Sequence, residues 1–385
     1  MKIAIITFAS LPLPGVRGGA VETLIDTLCD ENEKNGKLEI DIYSIYDEIA
    51  ERESFSKMKT KYYYYEDLEK TKYTFSNIMF KVFHVSLPNT TMKHVAKMLR
   101  RDKYEFVIIT SIFRALPGLI KSIPFPVLWY LHADALSVLS KKEVKRISDL
   151  CTAVLTVSEF VKQRIIETDT KSRVVSIKNC ANIAPIEEDK EIEVREQVRC
   201  KYGVKDSDVL FVYVGRITPI KGILELVRAF GKIRGSDIKL LIVGAPSNSQ
   251  EDYYYELLKK NSNENVKYAG YIRNTDVNLI YCASDAAVVP SICLEAAGLS
   301  VVEPQQCNRI VIASEIGGIP EYCSPENSIM IKCDENIESN LKDALCDFIE
   351  KKDDYMRLKK PMKEFSTEQY YKEFCEALQM IKKDI

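Results

Sequence analysis

The sequence predicts two α/β domains, each built on a parallel sheet, and three observations carry that expectation. Its 385 residues exceed the usual size of a single domain. Short apolar runs alternate with segments that have one charged face, the pattern of strand–helix–strand units. The alternation also restarts. A first series ends near Ser158–Ile166, a charged segment spans Glu187–Lys201, and a fresh apolar run opens at Val209.

The runs with the length of buried parallel strands are Lys2–Phe8, Phe106–Thr110, Val127–Leu131, Ala153–Val157, Val209–Val214, Lys239–Val243, Ala286–Val289 and Ile310–Ala313. Helix-like patterns lie between them at Ala20–Asn35, Ile223–Lys232 and Asp252–Lys260, and Thr367–Lys382 reads as an amphipathic helix. The turn residues of Asn179–Pro185 place the boundary within Ile183–Asp189, giving domains 1–185 and 186–366.

Composition excludes several classes. A hydrophobic fraction of 46% and a charged fraction of 29% are ordinary for a globular chain. The formal net charge of -2 gives no basic field, so no nucleic-acid partner is expected. Eleven cysteines lack metal spacing, with no C-x-x-C and no histidine nearby, which reads as reduced thiols in a cytoplasm. No apolar run reaches the length of a membrane span. The opening run breaks at Pro12, Pro14 and Gly15, so it reads as a first buried strand and not as a signal peptide.

Three motifs carry candidate chemistry. Gly15–Glu22 lies between the first strand and first helix, where glycines and a helix N-terminus let backbone N–H groups approach an anion. A tight strand-to-helix turn is the equal alternative. Val212–Gly222 ends a strand at Gly215 and then presents Arg216 and Lys221, two cations able to clamp a diphosphate or simply to face solvent. Pro290-Ser291 closes a strand and is followed by Glu295, Gly298, Leu299 and Glu303, then by Gly317–Glu321. Carboxylates so placed suit sugar hydroxyls. Ser300 and Glu303 also fit a capping box. His132 follows a strong strand and could be a functional or a core histidine.

The ordered set resembles glycosyltransferase family 4, the retaining transferases of GT-B fold. The matching pieces are Gly18-Gly19, Ser158–Phe160, Gly215-Arg216, Lys221-Gly222, Leu241–Gly244, Pro290-Ser291, Glu295 with Glu303 eight positions on, and Gly317–Glu321; they run from residue 1 to about Ala377. The resemblance implies two Rossmann-like domains facing across a cleft, with residues 367–385 returning to the first. It implies that Arg216 and Lys221 hold the donor diphosphate, that Glu303 meets the ribose and Glu295 the donor sugar. It places the backbone of Gly298 and Leu299 near the sugar or phosphate, Gly18 and Gly19 against the diphosphate, Tyr271 and Ile272 near the base, and His132 near the sugar. It further implies a UDP-sugar donor, no metal or other cofactor, and a saccharide or lipid-linked acceptor in surface polysaccharide or glycoconjugate synthesis.

Departures from the family pattern are Ala296-Ala297, Pro304, Asn308 and Asn179–Asn182. Proline suits only a first helical turn, so the helix bearing Pro304 is expected to begin near Ser300. No D-x-D dyad sits at a strand end, and Asp353-Asp354 reads as solvated surface. Lysines and tyrosines interleave through residues 57–80, which suits either contact with the inner face of a membrane or a helix face with its aromatics turned inward. Two other functions remain open: a non-catalytic coat or scaffold protein that keeps the fold, and a sugar-nucleotide epimerase of GT-B build.

Overall fold

The structure, a computed structural model, describes residues 1–8, 11–66, 90–111, 116–358, 362 and 364–385. The chain divides into two compact units, Met1–Cys180 with Thr367–Ile385, and Ala181–Ser366. The boundary falls a few residues earlier than the turn residues suggest. The reason is packing: the Ala181 amide donates to the Phe365 carbonyl at 3.3 Å, and Ala181 and Ile183 join the core of the second unit.

The first unit holds a parallel sheet of β1 (Lys2–Ile6), β2 (Glu39–Ile45), β3 (Thr60–Tyr65), β4 (Phe106–Ile109), β5 (Val127–Leu131), β6 (Ala153–Thr156) and β7 (Arg173–Ser176), in the order β3-β2-β1-β4-β5-β6-β7. Its helices are α1 (Ala20–Asn35), α2 (Glu48–Ser54), α3 (Thr90–Leu99), α4 (Leu116–Ser122), α5 (Lys141–Ser148) and α6 (Glu159–Ile166). The second unit opens with α7 (Glu188–Lys201). Its sheet contains β8 (Val209–Val214), β9 (Ile238–Val243), β10 (Val266–Gly270), β11 (Ala286–Val289), β12 (Ile310–Glu315) and β13 (Ser328–Lys332), in the order β10-β9-β8-β11-β12-β13. Around it lie α8 (Ile223–Gly231), α9 (Ser249–Asn261), α10 (Val277–Ala283), α11 (Leu299–Gln306), α12 (Ile337–Glu350) and α13 (Lys352–Leu358). The last helix, α14 (Thr367–Lys382), belongs to the first unit.

Why these residues form these layers follows from burial. Phe106–Ile109 and Ala286–Val289 are buried along their whole length, as central parallel strands covered on both faces must be. The helix α14 buries Tyr370, Tyr371, Phe374, Leu378 and Ile381, and the Tyr371 hydroxyl donates to Asn32 Oδ1 on α1 at 2.7 Å. In each sheet the strand order reverses once, between β1 and β4 and between β8 and β11. Such reversals open a crevice at the carboxyl ends of the strands, where ligands bind in open α/β sheets.

Part of the lysine–tyrosine stretch is a strand. Thr60–Tyr65 pairs in parallel with β2 as the sheet edge, and Tyr63 stacks on Tyr43 with centroids 5.0 Å apart. Lys57 is ion-paired with Asp30. Residues 67–80 of that stretch lie outside the described residues. Asp353 and Asp354 are exposed on α13 as expected.

Candidate active site

The site is built where β8 and β11 end side by side. After β8 the chain turns so that the Tyr213 hydroxyl donates to the Arg216 carbonyl at 2.7 Å. Arg216 is exposed, and its guanidinium makes no hydrogen bond or ion pair with the described residues. A short 3-10 turn, Pro219–Lys221, leads to Gly222, whose φ of 68° is left-handed and whose place leaves no room for a side chain. A Cβ there would lie 1.9 Å from the Pro290 carbonyl oxygen. The segment after β11 answers in kind, with the Ile292 amide donating to the Ile220 carbonyl at 3.0 Å.

This interlock sets Lys221 against Glu295. The ammonium lies 2.5 Å from Glu295 Oε1, and the Ser291 hydroxyl donates to the same oxygen at 2.9 Å. A third segment grips the main chain of Glu295. The Gly318 amide donates to its carbonyl at 2.7 Å, and Gly317, at φ 59°, approaches so closely that a Cβ would sit 2.4 Å from that oxygen. Residues 216–222, 290–295 and 316–318 therefore form one cradle, with a free guanidinium at one end and a paired ammonium and carboxylate at the other.

Glu303 stands on α11, which starts at Leu299 with Gly298 as its uncapped N-cap. The amides of Val301 and Val302 bond to the Gly298 carbonyl, and a Cβ on Gly298 would crowd Tyr322 at 3.0 Å. The capping box is not formed. Ser300 is already inside the helix, and Glu303 Oε2 instead accepts from the Tyr281 hydroxyl at 3.2 Å. Burial pushes the Glu303 carboxyl up to about 7, against the opposing pull of that hydrogen bond. The helix begins one residue before the expected start, and Pro304 sits past its first turn. It removes the N–H that would otherwise return to the Ser300 carbonyl. Asn308 takes the left-handed conformation, φ 56°, in the place expected for glycine.

Tyr271 and Ile272 follow β10 at the same sheet edge. The Gly244 amide, after β9, donates to the Gly270 carbonyl at 2.9 Å and holds the neighbouring strand ends together. Tyr271 is exposed, and with Ile272, Arg273 and Tyr202 it lines a cavity of about 290 Å³.

In the other unit, Gly19 is the N-cap of α1 and Gly18 precedes it. Two carboxylates that the sequence reading did not single out hold this loop. Asp26 accepts from the Gly15 amide at 2.6 Å, and the buried Glu22 folds back toward Gly19. Burial raises both, Asp26 to about 6. His132 lies just beyond β5, and neither ring nitrogen has a partner among the described residues. Burial depresses its pKa to about 3, so the ring is neutral. Its loop is tied down by Asp134, which accepts from Arg164 Nε on α6 at 2.9 Å. Ser158 caps α6 by accepting from the Val161 amide at 3.1 Å, which gives the Ser158–Phe160 piece a structural role.

Residues 194–383 match the family described as glycosyl transferases group 1. The protein is a glycosyltransferase. An uncharacterized glycosyltransferase, MJ1607 of Methanocaldococcus jannaschii, is 29% identical over 202 residues; the aligned stretch spans 51% of this chain and 50% of that protein. Spore coat protein SA of Bacillus subtilis is 24% identical over 337 residues, 83% of this chain and 82% of its own length. The crystal structure of Anabaena Alr3699/HepE in complex with UDP aligns with a TM-score of 0.76 at 16% identity, covering 99% of this chain and 100% of that chain. The glycosyltransferase thus has the GT-B fold, with one Rossmann-like sheet in each unit.

Proposed function

We propose that this glycosyltransferase is a retaining, metal-independent enzyme of family 4 that uses a UDP-sugar. In this reading Arg216 and Lys221 hold the donor diphosphate, Glu295 the sugar, Glu303 the ribose, and the segment at Tyr271 and Ile272 the base. The backbone of Gly298 and Leu299 lies along the sugar or phosphate. Charge building on the leaving diphosphate is stabilised by fixed cations, which need no reorganisation during the reaction. The observation that carries the reading is the interlock of the β8 and β11 loops at the strand-order reversal, which brings Lys221 and Glu295 within 2.5 Å. The UDP bound in the Anabaena structure supports the choice of nucleotide.

Gly18, Gly19 and His132 are assigned to the donor in the same reading, and the acceptor is a saccharide or a lipid-linked saccharide. Contact with a membrane would fall to the surface of the first unit, where Phe55 and Met58 are 80% and 89% exposed beside Lys59. Flotation with anionic vesicles tests that part, and absence of binding removes it.

A thermal-shift and calorimetry panel of nucleotide sugars tests the donor. One UDP-sugar should bind most tightly, and Arg216→Ala and Lys221→Ala should each weaken it. Unchanged affinity in both variants would overturn the assignment.

A further inference from the structure

The sequence motifs leave Tyr281 without a task. It lies on α10, 1% exposed, inside an apolar cluster that includes Val212, Val289, Val301 and Val302. A phenylalanine would fill that space without bringing a polar atom into it. The hydroxyl is used: it donates to Glu303 Oε2 at 3.2 Å, and among the described residues no other group donates to that carboxyl.

The main chain of Tyr281 is itself fixed. Its carbonyl accepts from Arg309 Nε at 2.8 Å and from the Ser284 hydroxyl at 2.9 Å. Arg309 also donates to the Cys282 carbonyl at 2.9 Å and pairs with Glu191. Arg195 reaches the carbonyls of Ala283 and Ser284, and Arg199 that of Ala283. Three guanidiniums therefore clamp the carboxyl end of α10, where unpaired carbonyls would otherwise be left. The phenol is thus presented to Glu303 from a rigid base.

We infer that Tyr281 is a positioning residue for nucleotide recognition: anchored by Arg309, it holds Glu303 Oε2 and leaves Oε1 aimed at a vicinal diol such as a ribose presents. This rests on the reading that Glu303 meets the nucleotide. An ionised carboxylate accepts through both oxygens, whereas protonation turns one of them into a donor, and donation from a neutral phenol favours the ionised form. The titratable groups facing Glu303 are Tyr281 from α10 and Cys307, the residue that caps the carboxyl end of α11.

The test compares wild type, Y281F, E303Q and the double variant by donor kcat/KM across pH 5.5 to 9, with UDP affinity measured by calorimetry. Y281F should raise the donor KM and the UDP Kd about tenfold while leaving kcat within about twofold. It should also move the acid limb of kcat/KM to higher pH, because the carboxyl loses the donor that stabilised its charge. In the E303Q background, Y281F should add less than a twofold change. Additive losses in the double variant, or a Y281F limb at the wild-type position, would overturn the inference. Unchanged UDP affinity in E303Q would instead overturn the ribose assignment, so the two failures are distinguishable. Should Y281F be unstable, 3-fluorotyrosine at 281 keeps the shape and strengthens the donor. The limb should then move to lower pH, and a limb that stays in place or rises counts against the proposal.

Discussion

Replacing Gly222 by alanine tests the interlock that the functional reading depends on. The backbone at 222 is left-handed, which costs an L-residue about 1–2 kcal/mol. The new Cβ would also begin 1.9 Å from the Pro290 oxygen, whereas real contacts of this kind stay beyond 3.0 Å, so one loop must retreat by about 1 Å. Together these cost roughly 2–4 kcal/mol, a fall of about 5–10 °C in Tm for a unit of this size. The retreat moves Lys221 away from Glu295, and a displacement near 1 Å in a positioning element is worth up to about a hundredfold in rate. Donor affinity should fall at least about tenfold. Gly231→Ala is the control: that glycine ends α8 with nothing within 4 Å of its Cβ position, so alanine should leave donor affinity intact and not lower Tm. Calorimetry with the preferred nucleotide sugar and a thermal melt read both variants. If Gly222→Ala melts early yet binds donor within twofold of wild type, the cradle is structural and the donor sits elsewhere.

Other outcomes follow from the charges. Burial pushes the Glu303 carboxyl up to about 7, so donor kcat/KM should decline as pH falls below about 7, and E303Q should abolish that limb while lowering kcat/KM about 10- to 100-fold. His132, neutral with a pKa depressed to about 3, contributes no limb between pH 5 and 8; His132→Asn should lower kcat and leave the limb in place, as a pH profile would show. Asp285 is almost fully buried, and its burial alone would raise its pKa, but Arg195, the Leu210 amide, Lys352 and Arg199 outweigh that and hold it below the usual carboxylate range. Asp285→Asn should cost about 3–5 kcal/mol at neutral pH, measured by denaturant unfolding. A depressed pKa stabilises the fold above the unfolded value, so the wild-type advantage should be full above about pH 4 and shrink as pH drops further.

How far the sequence could be read depended on where each element sits. The central strands β1, β4, β8, β11 and β12 are continuous apolar runs, because both of their faces are covered. The strands that escaped are mostly edges: β3 and β7 in one sheet, β10 and β13 in the other. Edge strands are partly solvated, and TKYYYY, RVVS, VKYAG and SIMIK mix polar with apolar residues accordingly. The fifth, β2, hides Asp41 and Ser44, and Asp41 is satisfied by the Tyr104 hydroxyl at 2.6 Å, a partner 63 residues away. Among the candidate site residues, Arg216, Lys221 and Glu295 stood out because loops at strand ends carry them, and Glu303 because of its fixed spacing from Glu295. Tyr281 was not, since a tyrosine at helical spacing reads as core until its hydroxyl is seen to face a carboxylate. Glu22 and Asp26 were hidden for a similar reason, on a helix face that looks merely charged.

The grip of Gly317 and Gly318 on the main chain of Glu295 has a consequence for redesign. With its peptide wedged between two other segments, that carboxylate can be relocated only by rebuilding the ends of two strands at once. If Glu295 meets the donor sugar as proposed, retuning sugar preference is therefore a matter of exchanging neighbouring side chains. Cys293 and Ala296 are small and flank the acid, whereas Ala297 packs against the core, so a library confined to the first two positions is the economical place to search for altered sugar preference.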